Sequence, residues 1–539
     1  MKTRFFTLIL ITIVLVFIFI NVFIDKSITN NNALTLDSNV KEKDLGLKAI
    51  TESVSKDAKI SIYDDYLVES FLNGAEFNDI LLSIRKADHP FTYNDEQSLT
   101  HGFKIIDMIE QLGSVRIRIN DPLKFINFLE KENIEFDVGR NAPLSTPKYP
   151  SSRILEAEES FSGTSMEWLG VNEDRKKAGS GVKVAILDTG IDANHESLIG
   201  MRISEISLLD DDGSNLNLGH GSAIASVIAG QSNDFMGMAP SSEILSIRVL
   251  NENGEGDSFT VAKGIVTAVD QGADIINLSL GGFGSSSVMD NAIEYAKSKN
   301  VLLVSAVGND GTQAVSYPAS HNDVVAVTSV DANARVSSFS NFGPEVDISA
   351  PGVGIFTAWE DNEFVQSSGT SVATAFVTGA LASELSRSPS LNKIEVLNAL
   401  YTNADETEKP GKDIWSGRGV LNMRRVEQRD TPGIIDVAVV GYYFDPENLT
   451  NLGTAPFSVT IQNQGTSWIQ STNLKVNYKG LEKNFRIGNL NVGESRSEKL
   501  YFDSGVQNKD LHIRSEVSVI NGTDQFPVNN KRESVLTLP

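Results

Sequence analysis

Val184-Ala185-Ile186-Leu187-Asp188-Thr189-Gly190 is an apolar run that ends on a carboxylate and a glycine turn. Such a run, bounded by a turn signal, is what a parallel strand buried on both faces requires. Val182–Leu187 opens a series of similar runs at Ile244–Leu250, Asp274–Leu280, Val301–Ala306 and Val324–Val330. Helical patterns fall between or after them, at Gly221–Ala229, Ser258–Gln271, Val288–Lys299, Val372–Leu385 and Leu391–Tyr401. This alternation over Trp168–Glu427 predicts an α/β domain built on a doubly wound, mostly parallel sheet. Ligands of such sheets bind beyond the carboxyl ends of the strands. Asp188 and Asn309 stand at such ends, and His220 and Ser371 open helices.

Working outward, residues 57–140 read as a small α/β domain. Its clearest unit is a strand at Val115–Ile119, a helix over Asp121–Asn133 and a second strand at Ile134–Val138, a β-α-β piece. Residues 141–165, with Pro143, Pro147 and Pro150, read as an exposed linker open to proteolysis. The main α/β domain is expected over 166–428. Past Thr431-Pro432-Gly433, residues 434–539 alternate apolar and polar positions between Gly, Asn, Pro and Asp turns. An all-β sandwich of roughly seven strands is expected there.

The ends and the composition set further bounds. Phe5 to Ile24 is an apolar run without charge, preceded by Lys2 and Arg4, and about long enough to cross a bilayer as a helix. No small-residue cleavage site follows it, so residues 1–26 read as an uncleaved signal anchor or a cleaved signal peptide. Residues 27–56 read as a spacer. Either alternative places the rest of the chain outside the membrane, as a secreted or surface protein. The chain of 539 residues has no cysteine, which excludes disulfides, thiolate metal sites and a cysteine nucleophile. A net charge of −24 argues against nucleic acid and anionic lipid surfaces as partners.

The chemistry lies in three boxes: Asp188-Thr189-Gly190, Gly219-His220-Gly221-Ser222 and Ser368-Gly369-Thr370-Ser371-Val372-Ala373. A serine hydroxyl is a poor nucleophile until a base takes its proton and a carboxylate holds that base in the right tautomer. Each box alone is a common turn or helix cap; together, in the order Asp, His, Ser, they make sense as one active site. With Asn277-Leu278-Ser279-Leu280-Gly281-Gly282, Ala306-Val307-Gly308-Asn309, Tyr317-Pro318-Ala319 and Ala350-Pro351-Gly352, the chain resembles the subtilisin-like serine proteases, the subtilases. The resemblance implies that Ser371 attacks the scissile carbonyl, that His220 takes and returns the proton, and that Asp188 orients His220. It implies an oxyanion site made by the Asn309 amide and the Ser371 N–H. His195 is the rival base, but lies outside a Gly-His-Gly context.

The same likeness implies that Gly254-Glu255-Gly256 and Ser279-Leu280-Gly281 flank the substrate as two strand edges. Ala306-Val307-Gly308 would form one wall of the P1 pocket, with Ser316 at its floor. None of these P1-lining residues carries a charge, so an apolar P1 side chain is expected. Residues 57–140 would be an inhibitory propeptide that assists folding, and 141–165 the processing region. The expected partners are protein or peptide substrates, the chain's own propeptide, and the membrane through 5–24 before processing. No cofactor is required for the chemistry. The segment from Ala229 to Pro240 is short for a calcium-wrapping loop, so that site is expected to be missing, and other structural calcium sites stay open. Ala223, Ala375 and Phe376 depart from the family's usual residues. The C-terminal sandwich resembles adhesion-type surface modules, which leaves a second reading: a catalytically inactive surface binding protein on the same fold.

Overall fold

The computed structural model describes residues 60–62, 79–84 and 95–537, apart from 122–123, 126, 129–135, 172–173, 211–215, 233–234, 285, 408, 445–453, 479 and 504–509. The apolar run 5–24 and the spacer lie outside the described residues. Among the described residues, no helix is long and apolar enough to cross a membrane.

The central sheet has seven parallel strands. They are β1 (Lys183–Asp188), β2 (Arg202–Ser207), β3 (Glu243–Arg248), β4 (Ile275–Leu278), β5 (Leu302–Ala306), β6 (Val325–Val330) and β7 (Ile348–Pro351). Their spatial order is β7-β6-β5-β4-β1-β3-β2. Helices α1 (Gly219–Ala229), α2 (Ser258–Asp270), α3 (Ser287–Ser298) and α4 (Thr370–Arg387) cover it. The alternation of side chains along β1 divides the core. Val184 and Ile186 pack with Ile224 and Ile228 of α1 and Phe376 and Ala380 of α4. Ala185 and Leu187 pack on the opposite face with Phe259 and Ile265 of α2 and Met289 and Ile293 of α3. Each such buried aliphatic side chain contributes about 1.5–3 kcal/mol.

The doubly wound α/β class is as expected, with two strands the sequence reading passed over. β2 is the edge strand, and its Arg-Ile-Ser-Glu-Ile-Ser pattern is mostly exposed. An edge strand needs no continuous apolar run, so the signal used for the inner strands is missing there. β7 is fully buried but short, and ends on Pro351.

Before this domain lies a five-stranded sheet, ordered 60–62, 136–140, 80–84, 114–119, 103–109. The strands at 114–119 and 136–140 are not neighbours: 80–84 runs between them, antiparallel to both. The expected β-α-β piece is therefore a split unit. Only residues 124–125 and 127–128 of its helix are described, and they are helical. This sheet seats on α2 and α3. Leu81, Ile109 and Leu112 join their core, Lys263 pairs with Asp107 at 2.7 Å, and Arg116 bridges Asp79 and Asp257 at 2.6 and 3.4 Å.

The linker departs from the expectation of exposure. Pro143–Ser145 is a strand, paired antiparallel with Glu255–Asp257, and Leu144 is 2 % exposed. Burial of one leucine and pairing of its backbone outweigh the Pro-rich composition. The C-terminal residues form a three-stranded and a four-stranded sheet around Val437, Phe457, Val459, Leu474, Val476 and Ile513. The strand Leu481–Ile487 was not anticipated, because most of its side chains face solvent.

Candidate active site

Strand ends and helix starts carry the three boxes: Asp188 is joined directly to His220, and Ser371 to Ser279 at the end of the neighbouring strand β4. Asp188 ends β1, and the register of β1 with β4 pairs Ile186 with Asn277. Ser279, two residues on from Asn277, lies just past the end of β4, the strand beside β1. Ser371 joins this rim: its Oγ donates to the Ser279 carbonyl at 3.4 Å, and the Ser279 Oγ donates back to the Ser371 carbonyl at 3.0 Å. The Thr378 hydroxyl donates to Asn277 Oδ1 at 2.8 Å, and Asn277 Nδ2 donates to Ser279 Oγ, so α4 is pinned to β4.

His220 lies in the first turn of α1. Its Nδ1 donates to both carboxylate oxygens of Asp188, at 2.8 and 2.9 Å. Asp188 is buried and also accepts the Thr189 N–H at 2.7 Å. With the proton on Nδ1, the neutral imidazole presents Nε2 as a free acceptor, the form a general base needs. Burial pulls the imidazolium below its ordinary range, but the charge of Asp188 and the hydrogen bond to it outweigh this, and the net shift is upward. The glycines around His220 are required by close approach. A Cβ at Gly221 would stand 2.0 Å from the Gly190 carbonyl oxygen, and one at Gly219 would meet the ring of Trp359.

Asn309 follows β5. Its Oδ1 accepts the N–H and hydroxyl of Thr370 at 3.0 and 2.8 Å. This orients Nδ2 outward, where it donates to the Lys148 carbonyl at 2.9 Å. The linker lies along both anticipated strand edges. Thr146 N–H donates to the Gly254 carbonyl at 2.9 Å, and Ser145 exchanges bonds with Gly281 at 3.0 and 2.8 Å. Gly254, Glu255, Gly256 and Gly281 thus meet a peptide through main-chain atoms, while the Leu280 side chain is in the core. Ser279 is buried against Ser371.

The residues expected to form the P1 wall are largely enclosed. Ala306 and Val307 are fully buried, and Val307 packs with Ala319, Ala326 and Val346. Ser316 is 6 % exposed and its N–H donates to the Val307 carbonyl. Behind Gly308 stands Asn341, which sequence reasoning missed. Its Nδ2 donates to Val307 O and Ser316 Oγ, and its Oδ1 accepts the N–H groups of Asp310 and Thr312. One buried amide therefore braces the loop that carries Asn309. Nothing near Asn341 in the chain marks it; only the fold brings it to that loop. The Lys148 side chain, 87 % exposed, points toward Asp310 at 3.7 Å and fills no pocket.

His195 is brought near but differently used. It is fully buried, its Nδ1 accepts the Ser197 N–H at 3.1 Å, and its Nε2 donates to the Glu363 carbonyl at 2.8 Å. Among the described residues, no group of three or more His, Asp or Glu side chains could hold a metal ion.

Comparison with known proteins gives the family. The subtilase family model matches residues 179–421. A thermophilic serine proteinase of Bacillus sp. (strain AK1) is 34% identical over 325 residues, covering 58% of this chain and 80% of that protein. Thermitase of Thermoactinomyces vulgaris is 38% identical over 254 residues, covering 46% of this chain and 90% of that protein. Subtilisin DY of Bacillus licheniformis is 34% identical over 257 residues, covering 46% and 92%. The chain belongs to the subtilase family. It is a serine endopeptidase of the subtilisin type, a hydrolase whose chemistry needs no cofactor.

Proposed function

We propose that this chain is an extracytoplasmic endopeptidase, made as a zymogen, that cuts protein substrates through Asp188, His220 and Ser371. Ser371 Oγ adds to the scissile carbonyl while His220 Nε2 takes its proton; His220 then delivers that proton to the leaving amine, and water repeats the cycle on the acyl-enzyme. Asp188 holds the imidazole and stabilises its charged form. The Asn309 amide and the Ser371 N–H, at the start of α4, stabilise the oxyanion. The observation that carries this reading is a peptide carbonyl, that of Lys148, on Asn309 Nδ2, whose Oδ1 holds Thr370 next to Ser371, together with a histidine bound to Asp188.

The same observation supports an inhibitory role for residues 57–140. The segment that follows them lies antiparallel along the proposed substrate edges, with Leu144 buried, as a bound peptide would. We place the maturation cut beside Lys148, within Pro147–Tyr149. Maturation there separates the enzyme from the N-terminal apolar run, whether that run is an anchor or a signal peptide. Structural calcium has no part in this mechanism.

Labelling with a fluorophosphonate tests the mechanism: the processed chain takes up the probe at Ser371, and Ser371→Ala does not. A processed chain that stays unlabelled, with Ser371→Ala behaving like the parent, would favour the inactive binding protein. Mass spectrometry of the mature N-terminus tests the second part. A start at Lys148 or Tyr149 is expected, and a start inside 57–140 would remove the zymogen assignment.

A further inference from the structure

A hairpin just ahead of Ser371 touches both other segments of the proposed triad. Its strands, β8 (Ile355–Ala358) and β9 (Phe364–Ser367), pair antiparallel. The tip, Trp359-Glu360-Asp361-Asn362-Glu363, is closed by the Trp359 N–H on the Glu363 carbonyl at 2.7 Å and the Glu363 N–H on the Glu360 carbonyl at 3.2 Å. Asp361 and Asn362 take left-handed backbone conformations, φ 57 and 59, which Asp and Asn adopt more readily than other residues with a Cβ. This backbone turns the side chains on either side of the tip toward two different neighbours.

On one side is the start of α1. Three ring carbons of Trp359 lie within 2.7 Å of where a Cβ on Gly219 would stand, so the indole rests directly on the backbone next to His220. Glu360 Oε2 accepts the Leu218 N–H at 3.1 Å. The first N–H groups of a helix have no partner within it. Leu218, the residue at the cap position, supplies no side-chain cap. The hairpin takes the N–H of Leu218 itself, while Asn217 Oδ1 accepts the Gly219 N–H at 3.3 Å and Thr189 Oγ1 the Gly221 N–H at 3.4 Å. On the other side, Asn362 Oδ1 accepts the Glu196 N–H at 2.7 Å, and the Glu363 carbonyl accepts the His195 Nε2–H at 2.8 Å. Both belong to the loop that follows Asp188.

We propose that Trp359 is a positioning residue: its indole holds the backbone at Gly219 so that the His220 imidazole stays in line between Asp188 and Ser371. The inference rests on the triad assignment above. The Gly219 position is consistent with it, since a residue with a Cβ cannot occupy 219 while the indole is in place. A shift of about 1 Å in a reacting group costs on the order of 100-fold in rate. An indole that sets the helix start therefore acts on turnover without touching substrate.

The test uses the full chain after processing. Trp359→Ala is expected to lower kcat roughly tenfold or more, with KM within about twofold, while a fluorophosphonate still titrates Ser371 to the same final stoichiometry. Trp359→Phe should restore most of kcat. Gly219→Ala reads the same contact from the other side: it should lower kcat, and adding Trp359→Ala to it should raise kcat again. Wild-type kcat in Trp359→Ala or Gly219→Ala would overturn the proposal. So would a loss that merely follows the fraction of titratable Ser371, or one that appears in KM. If Trp359→Ala does not fold, Gly219→Ala and Trp359→Phe decide the matter. Failure of the wild-type chain itself to label would instead remove the triad on which the inference rests.

Discussion

His195 belongs to the loop after Asp188 and His220 to the first turn of α1, and they differ in how many of their nitrogens are already taken. His195 is buried, with Nδ1 accepting from Ser197 and Nε2 donating to Glu363. It is a bracket between two loops. His220 spends only Nδ1, on Asp188, and 23% of its side-chain surface is exposed. A ring with both nitrogens engaged holds structure together, whereas one with a free nitrogen can accept a proton. The Gly-His-Gly context distinguished the two in the sequence, and the hydrogen bonds supply the reason.

Replacing the free-nitrogen histidine should have the largest effect. His220→Ala is expected to lower kcat about 10⁶-fold, a scale borrowed from other serine proteases. Measurement of kcat with active-site titration checks it, and a loss below about 100-fold would mean another base operates. Asp188→Asn keeps the shape but spoils the tautomer, and should cost about 10⁴-fold in kcat.

Asn309→Ala removes the proposed oxyanion donor and should cost about 10²–10³ in kcat with little change in KM, the scale known for an oxyanion-hole amide in a subtilisin. Comparable loss in KM would assign Asn309 to ground-state binding instead. The acid limb of kcat/KM should lie above the ordinary histidine value of 6.5, because Asp188 favours the charged ring. The stability that His220 contributes is full below about pH 6.5 and is lost as the pH rises through its raised folded value. An acid limb below pH 6 would contradict the pair.

The smallest effect on turnover belongs to the bracket histidine. His195→Ala removes the partner of the buried Ser197 N–H and hydroxyl, and should cost about 1–3 kcal/mol of stability, read by denaturant unfolding. Its kcat should fall no more than about tenfold, through the loops it joins. A loss near that of His220→Ala would abolish the distinction between the two rings.

Much of this site was legible along the chain because its constraints are local. Asp188 ends an apolar strand, His220 stands between glycines that have no room for a Cβ, and Ser371 opens a helix after Gly369-Thr370. The inner strands announced themselves because burial on both faces demands continuous apolar residues. The edge strand Arg202–Ser207 did not, since one side meets solvent. Leu144 was hidden for the opposite reason: its burial depends on a groove formed by residues more than a hundred positions away.

From sequence alone came the α/β class and the proposal of Asp188, His220, Ser371 and Asn309 as the working residues, since strand periodicity and short boxes are written in consecutive residues. Tertiary structure alone decided that Asn341 braces the Asn309 loop, that Trp359 rests on Gly219, and that the linker lies in the groove. Those relations join atoms distant in the chain, and only packing determines which distant atoms meet.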